Sequence, residues 1–361
     1  MKEKIKLFDP SISTDEENAV IKVLKSRFWA SGGGQGFVEK FENKFRDYIG
    51  TKSCIAVNSG TSALNLALSL VDIKNKEVIV PSLTFVSTIH SIILNGGKPI
   101  FVDIDPKTLC LDPKKIEEKI TKKTKIILPV HFAGTPCEMT KIIKISNDYN
   151  CKVIEDAAHA SGTTYKNKKI GSHGFAVCFS FHPVKNLAMP NGGAISINDK
   201  NHEKITERLF AKRWCGISNR KNYDYDVKEM GWNYYMNEFS ASIGLIQLKK
   251  LDKMNNIRRK IAKRYHNEIN SEKIMPYNES SSYHLYWICV KNRKKFMKNM
   301  LEKGIETGIH YKPVHEMTLY KNKISLPVTE NIGKEIVSIP IHPNLTQTNI
   351  DYIIKNINKF N

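Results

Sequence analysis

Lys185 follows the apolar run "FAVCFSF" (175 to 181) and precedes a Pro-Asn-Gly-Gly turn, which sets an amine just past the end of a buried strand. A lysine partly desolvated there, near other positive groups, has a lowered pKa and can form a Schiff base with an aldehyde. With 56 Lys plus Arg in the chain, a solvated loop lysine is the plain alternative. Two more stretches bear on the choice. In "KVIEDAAHA" a strand-like run ends in Glu155 and Asp156, with His159 three residues on. Side chains alternate along a strand, so the two acids point to opposite faces. One of them, near the sheet's crevice, could keep a proton on a cofactor's ring nitrogen; a helix cap by Asp156 with a surface Glu155 is the competing reading. In "NSGTSAL" (58 to 64) Gly60, Thr61 and Ser62 stand where a strand gives way to a helix. Free amides, hydroxyls and the positive helix end suit a phosphate there, although the same residues make an ordinary helix cap. A phosphate cup, a ring-nitrogen acid and a strand-end lysine thus occur in that order.

The elements that must position them are legible between Thr51 and Asn198. Apolar runs at 54–60, 77–82, 98–105, 125–131, 151–156, 175–181 and 193–198 read as strands, several separated by helical patterns such as Ala63, Leu64, Ala67, Leu68 and Val71. This alternation predicts an α/β fold with a largely parallel sheet covered on both faces, ligands collecting at the strands' carboxyl ends. The "PNGG" turn predicts an antiparallel neighbour for the strand before Lys185. From Asn237 a proline-free helical stretch follows, as one helix or two, and then short strands alternating with helices. We expect a large domain over 1–245 and a smaller α+β domain over 246–361.

Composition excludes several classes. At 361 residues, 41% hydrophobic and 25% charged, the chain is ordinary globular protein with no run able to span a bilayer, and its start lacks the pattern of a signal peptide, so a cytoplasmic location is expected. Seven scattered cysteines without a C-x-x-C pair argue for reduced thiols rather than disulfides or zinc. "SGGGQGF" departs from G-x-G-x-x-G, and "HEMTL" has Leu319 where a zinc protease helix needs its second histidine, so no metal is expected. The +20 charge is spread along the chain and no nucleic-acid motif accompanies it; an anionic small substrate would also benefit from the positive field.

The stretches "GGGQGFVEKFENKFRDYIG", "AVNSGTSALNLAL", "VIVPSLTFVSTIHSI", "VIEDAAHASGTTYKNKKIGSHG", "FSFHPVKNLAMPNGGAI", "GWNYYMNEFSASIGLIQLKKLD", "GIHYKPVH" and "SIPIHPNLT" resemble, in order, the DegT/DnrJ/EryC1/StrS sugar aminotransferases. The resemblance implies the aspartate-aminotransferase (type I) fold and pyridoxal 5'-phosphate as cofactor, with pyridoxamine 5'-phosphate as its other form. It implies Lys185 as the Schiff-base lysine, Asp156 on the ring nitrogen, Phe85 on the ring face and His159 near the phenolic oxygen. Gly60, Thr61, Ser62 and Ser180 fall at the phosphate, and His310, Tyr311 and His315 near the sugar nucleotide. Asn233 falls where a neighbouring subunit reaches the cofactor, so the resemblance implies a homodimer with shared sites; a cap on the following helix is the plain alternative for Asn233. The implied reaction moves an amino group from L-glutamate to a nucleotide-linked keto sugar, a UDP-4-keto-6-deoxy hexose by family frequency, for surface glycans. Amination at C3 or a GDP or dTDP sugar are the alternatives within the family, and a non-catalytic cofactor-binding regulator is the alternative outside it. Relatives acting as dehydratases carry histidine in place of Lys185. The chain departs from the family's habit at Pro190 and Asn191 before the double glycine, at Tyr235 in place of an arginine, and at His159 in place of glutamine.

Overall fold

A computed structural model describes residues 4–321 and 324–361. Its centre is a seven-stranded sheet of β1 (Ser53–Val57), β2 (Glu77–Pro81), β3 (Lys98–Val102), β4 (Thr124–Ile127), β5 (Lys152–Asp156), β6 (Ala176–Ser180) and β7 (Gly193–Ile197), one strand from each of the seven apolar runs. The order is β1-β7-β6-β5-β4-β2-β3. Only β7 runs against its neighbours, pairing antiparallel with both β6 and β1, as the turn at 190–193 predicts.

Strand alternation splits the core in two. Ile55, Val57, Ala176 and Cys178 face one side with Leu64, Leu66 and Leu68 of helix Gly60–Leu68 and with Ile89 and Ile92 of helix Val86–Leu94. Cys54, Ala56, Val177 and Phe179 face the other, against Phe41 and Phe45 of helix Phe37–Ile49 and Leu251 of a 31-residue helix, Glu238–Glu268. Both faces being covered explains why β6 and β7 are buried at every position, and why they read as continuous apolar runs.

The stretch after Asn237 is one helix, capped by Asn237, whose side chain accepts from the Ser240 amide. The expected boundary at 245/246 falls inside it. Beyond it, strand Tyr286–Cys289 pairs antiparallel with Ile336–Ile339, and Phe296, Met300, Ile353 and Ile357 of the helices Arg293–Glu302 and Gln347–Phe360 join the same core cluster. No helix among the described residues is long and apolar enough to cross a membrane.

Candidate active site

The carboxyl ends of β1, β2, β5 and β6 meet at one rim of the sheet, over a cavity of about 350 Å³. Gly60, Thr61, Phe85, Asp156, His159, Ser180, Lys185, His310 and Tyr311 line it, together with Ser59, Thr84 and Asn191. The topology therefore gathers residues spread over more than 250 positions of sequence.

At the end of β1 the Ser59 side chain caps helix Gly60–Leu68, accepting from the Ser62 amide, while its carbonyl accepts from Ala63. The amides of Gly60 and Thr61 are left as free donors at the positive helix end, beside the cavity. A Cβ on Gly60 would lie 2.7 Å from Ser180 Cβ, so a glycine is needed for β1 and β6 to approach this closely. Ser62 is turned inward: its hydroxyl donates to Asn58 Oδ1 at 2.5 Å and meets Ser59 Oγ at 2.8 Å, and it is not part of the cavity wall.

The paired acids separate as strand alternation requires. Glu155 is fully buried on the far face, 2.8 Å from His131 Nε2 and accepting from the Gly174 amide, which rules out a surface position for it. Asp156 faces the cavity, accepting from Thr88 Oγ1 at 2.8 Å and from the Ala158 amide at 3.1 Å. Burial pushes its carboxyl up from the ordinary 3.8, against the pull of those hydrogen bonds and of Lys185. Burial likewise pulls the Lys185 amine down to about 8, with Asp156 opposing. The amine lies 3.3 Å from His284 Nε2.

His159 accepts from the Ala133 amide through Nδ1, so the proton sits on Nε2, which donates to the Tyr311 hydroxyl at 3.0 Å. Burial first, then Lys185 and His310, hold His159 well below 6.5, and His310 is drawn down to about 4. These rings are neutral at pH 7, which leaves Lys185 and the helix end as the positive features of the cavity. Phe85 stands at the wall, 55% exposed, with its ring centroid 5.9 Å from that of Tyr311.

Besides Ser62, two more expected residues lie outside the cavity wall. His315 is buried outside the cavity wall, its Nδ1 2.6 Å from Ser82 Oγ and its Nε2 3.6 Å from Glu330. Asn233 is also outside the wall, its carbonyl accepting from Asn58 Nδ2 at 3.3 Å, and the helix that follows is capped by Asn237 rather than by Asn233. Sequence reading missed Thr88 and His284. Thr88 had a signal, three residues past Phe85 on a helix that starts at the rim; His284 had none, since only the fold brings it to Lys185.

The residues fit a phosphorylated pyridine aldehyde. The Gly60–Ser180 approach and two free amides suit the phosphate, Asp156 is a buried carboxylate aimed into the cavity, and Lys185 is an enclosed amine titrating near neutrality. Comparison with known proteins agrees. The family model described as "DegT/DnrJ/EryC1/StrS aminotransferase family" matches residues 10–358. GDP-perosamine synthase of Escherichia coli O157:H7 is 35% identical, covering 99% of this chain and 98% of that protein. Helicobacter pylori PseC, an aminotransferase involved in the biosynthesis of pseudoaminic acid, superposes with a TM-score of 0.93 at 27% identity, covering 99% of both chains. The putative sugar aminotransferase Spr1654 from Streptococcus pneumoniae, solved in apo, PMP and PLP forms, gives 0.93 at 27% identity in its apo form, covering 99% of this chain and 97% of that one.

Proposed function

Because the chain belongs to the DegT/DnrJ/EryC1/StrS aminotransferase family, pyridoxal-phosphate-dependent sugar aminotransferases of the type I fold, we propose that it moves an amino group from L-glutamate to a keto sugar carried on a nucleoside diphosphate. The observation that carries this reading is the Lys185 amine, enclosed at the sheet's rim in the same cavity as Asp156. We take 1–245 as the large, cofactor-binding part and 246–361 as the small one, in a cytoplasmic enzyme.

The bound cofactor supplies an electron-accepting ring and a carbonyl that takes up the amino group and gives it back. Gly60 and Thr61 donate their amides to its phosphate, with the Ser180 hydroxyl beside them. Asp156, oriented by Thr88 and Ala158, keeps a proton on the ring nitrogen. Phe85 would cover one face of the ring, and His159, whose Nε2 donates to the Tyr311 hydroxyl, would stand near the phenolic side. Lys185 would be the residue that holds the cofactor. Its amine, when free, would be the base that moves a proton at the substrate carbon; a base near 8 is matched to that work at cellular pH.

His310 and Tyr311, which line the cavity, would face the sugar nucleotide, and Asn191 lines the same cavity. His315, behind the wall, would act on the sugar nucleotide only by supporting that side. Asn233 would serve the partner subunit's cofactor in a homodimer. An exposed apolar groove of about 530 Å³ between Ile12, Ile21, Met189, Pro190 and Ile243 supports burial against a second copy. For the acceptor we favour C4 of a UDP-linked 4-keto-6-deoxy hexose, the product feeding surface glycan synthesis. The 35% identity to a GDP-perosamine synthase favours a GDP-linked sugar as the second reading.

The test is to incubate the enzyme with glutamate and a panel of UDP-, GDP- and dTDP-linked keto sugars and fix the product's amine position by NMR. Lys185→Ala should lose both the cofactor's visible absorbance and all transfer. Normal turnover by that variant would remove the assignment of Lys185.

A further inference from the structure

Behind Lys185, on the side away from the cofactor cavity, four buried polar atoms have no hydrogen-bond partner among the described residues: His284 Nδ1, Arg258 Nε, Arg258 Nη1 and His342 Nδ1. Their three residues border one small cavity, in which the centre of a water molecule has about 10 Å³ of room. Arg258 is 6% exposed and faces no carboxylate within ion-pair distance among the described residues, and burial alone lowers its guanidinium to about 9.

Hydrogen-bond roles around this cavity follow from what each group faces on its other side. His342 Nε2 lies 3.1 Å from the Lys6 carbonyl, which can only accept, so Nε2 carries the proton and Nδ1 presents a lone pair. His284 is held neutral by burial, with Lys185, His159, His310 and Arg258 all opposing a positive charge on it. Its Nε2 faces the Lys185 amine, which as an ammonium has only protons to give; Nε2 is then bare and Nδ1 carries the proton. These three side chains thus turn three donors, from His284 and Arg258, and one acceptor, on His342, toward the cavity; Asp9 and Lys185 also border it, the Asp9 carboxylate being engaged by Lys6 and Asn344 and the Lys185 amine by His284 Nε2. An anion would meet the lone pair of His342, and a cation would meet Arg258. A water molecule that accepts from His284 Nδ1 and from one Arg258 nitrogen and donates to His342 Nδ1 engages all three side chains at once, with the second Arg258 nitrogen left over.

We propose that one buried water molecule occupies this cavity, bonded to His284 Nδ1, Arg258 and His342 Nδ1, and that it fixes His284 in the tautomer whose Nε2 receives the Lys185 amine. His284 is therefore a positioning residue that acts through Lys185. Phe8 stacks on its ring at 5.7 Å, and the His159 ring lies 4.4 Å away on the cofactor side, so the imidazole is clamped as well as bonded. Each time the lysine leaves the cofactor, its amine has an acceptor that cannot take the proton from it. The charged or titratable groups facing that amine are Asp156, His159, His182, His284 and His310, with Arg258 beyond the water. The inference rests on Lys185 being the residue that holds the cofactor.

The test uses apoenzyme and the rate at which it captures pyridoxal phosphate, followed by absorbance as a function of pH. In the wild type the rate should rise through a midpoint near 8, where burial sets the Lys185 amine. His284→Leu removes the acceptor for the ammonium and should lower the midpoint by about one unit, whereas His284→Gln keeps an acceptor and should leave it unchanged. Arg258→Met removes a positive charge beyond the water and should raise the midpoint, which keeps the test open should His284→Leu fail to fold. A high-resolution crystal structure grown in bromide should show density bonded to the three side chains without an anomalous peak. An anomalous peak there, or midpoints unmoved in both His284→Leu and Arg258→Met, overturns the proposal. Capture that persists in Lys185→Ala would instead overturn the reading beneath it.

Discussion

Replacing Asp156 with Asn should change the apoenzyme and the cofactor complex in opposite directions. Asp156 is 4% exposed, and burial raises its pKa above 3.8 despite Thr88, Ala158 and Lys185. For a carboxyl raised on folding, the stability it contributes is complete below the unfolded pKa and is lost as pH rises through the folded one. An ionised Asp156 therefore weighs against the apoenzyme at neutral pH. Asparagine fits the same contacts. The Thr88 hydroxyl, now donating to Oδ2, can turn toward Thr84 Oγ1 at 2.8 Å and accept from the new amide, while Oδ1 still accepts from Ala158. The apo variant should melt no lower than wild type at pH 7 to 8, with any advantage shrinking toward pH 4. Against a protonated ring nitrogen the loss is of a charge-assisted hydrogen bond, about 1.5–3 kcal/mol, or about 10- to 150-fold in affinity. Pyridoxamine phosphate is the ligand to use, since it forms no bond to Lys185 that would mask the change. Thermal melts of apoenzyme across pH, with titration of this ligand, read both halves. Affinity within about twofold of wild type, or an apo variant destabilised equally at acid and neutral pH, would refute the reasoning.

Gly60→Ala should keep the fold by circular dichroism yet weaken pyridoxamine phosphate binding at least tenfold, because the new Cβ would sit 2.7 Å from Ser180 Cβ and wedge β1 from β6 at the phosphate cup; unchanged affinity would remove the cup from this position. Phe85→Ala should leave the apoenzyme melting point within about a degree or two, since the ring is 55% exposed, but reduce affinity for the same ligand by roughly 2- to 10-fold through lost stacking of about 0.5–1.5 kcal/mol.

Much of this fold was legible because its strands are buried on both faces. Continuous runs such as "AVCFS" and "GAISI" read as strands without any partner in view, and alternation alone sent Glu155 and Asp156 to opposite faces. Where roles turned on hydrogen bonds between distant segments, periodicity carried no information. Ser62 and Thr61 are adjacent in a motif suited to phosphate, and Asn58 and Ser59 decide that Ser62 turns inward. His284 stands 99 residues from Lys185, and His315 is engaged by Ser82, 233 residues away.

The order of the strands explains why the sequence shows the parts of the phosphate cup but not their meeting. β1 and β6 are not neighbours; antiparallel β7 lies between them, and its register sets Gly193 opposite Val57 on one side and Ser180 on the other. A Cβ at Gly193 would lie 2.4 Å from the Ser59 carbonyl oxygen, just as one at Gly60 would meet Ser180. Two glycines about 130 positions apart thus remove the bulk at the one row where the helix start, Ser180 and the approach to Lys185 converge. The Pro-Asn-Gly-Gly turn marks a chain reversal in the sequence, and in the fold its second glycine is the clearance that lets the cup close.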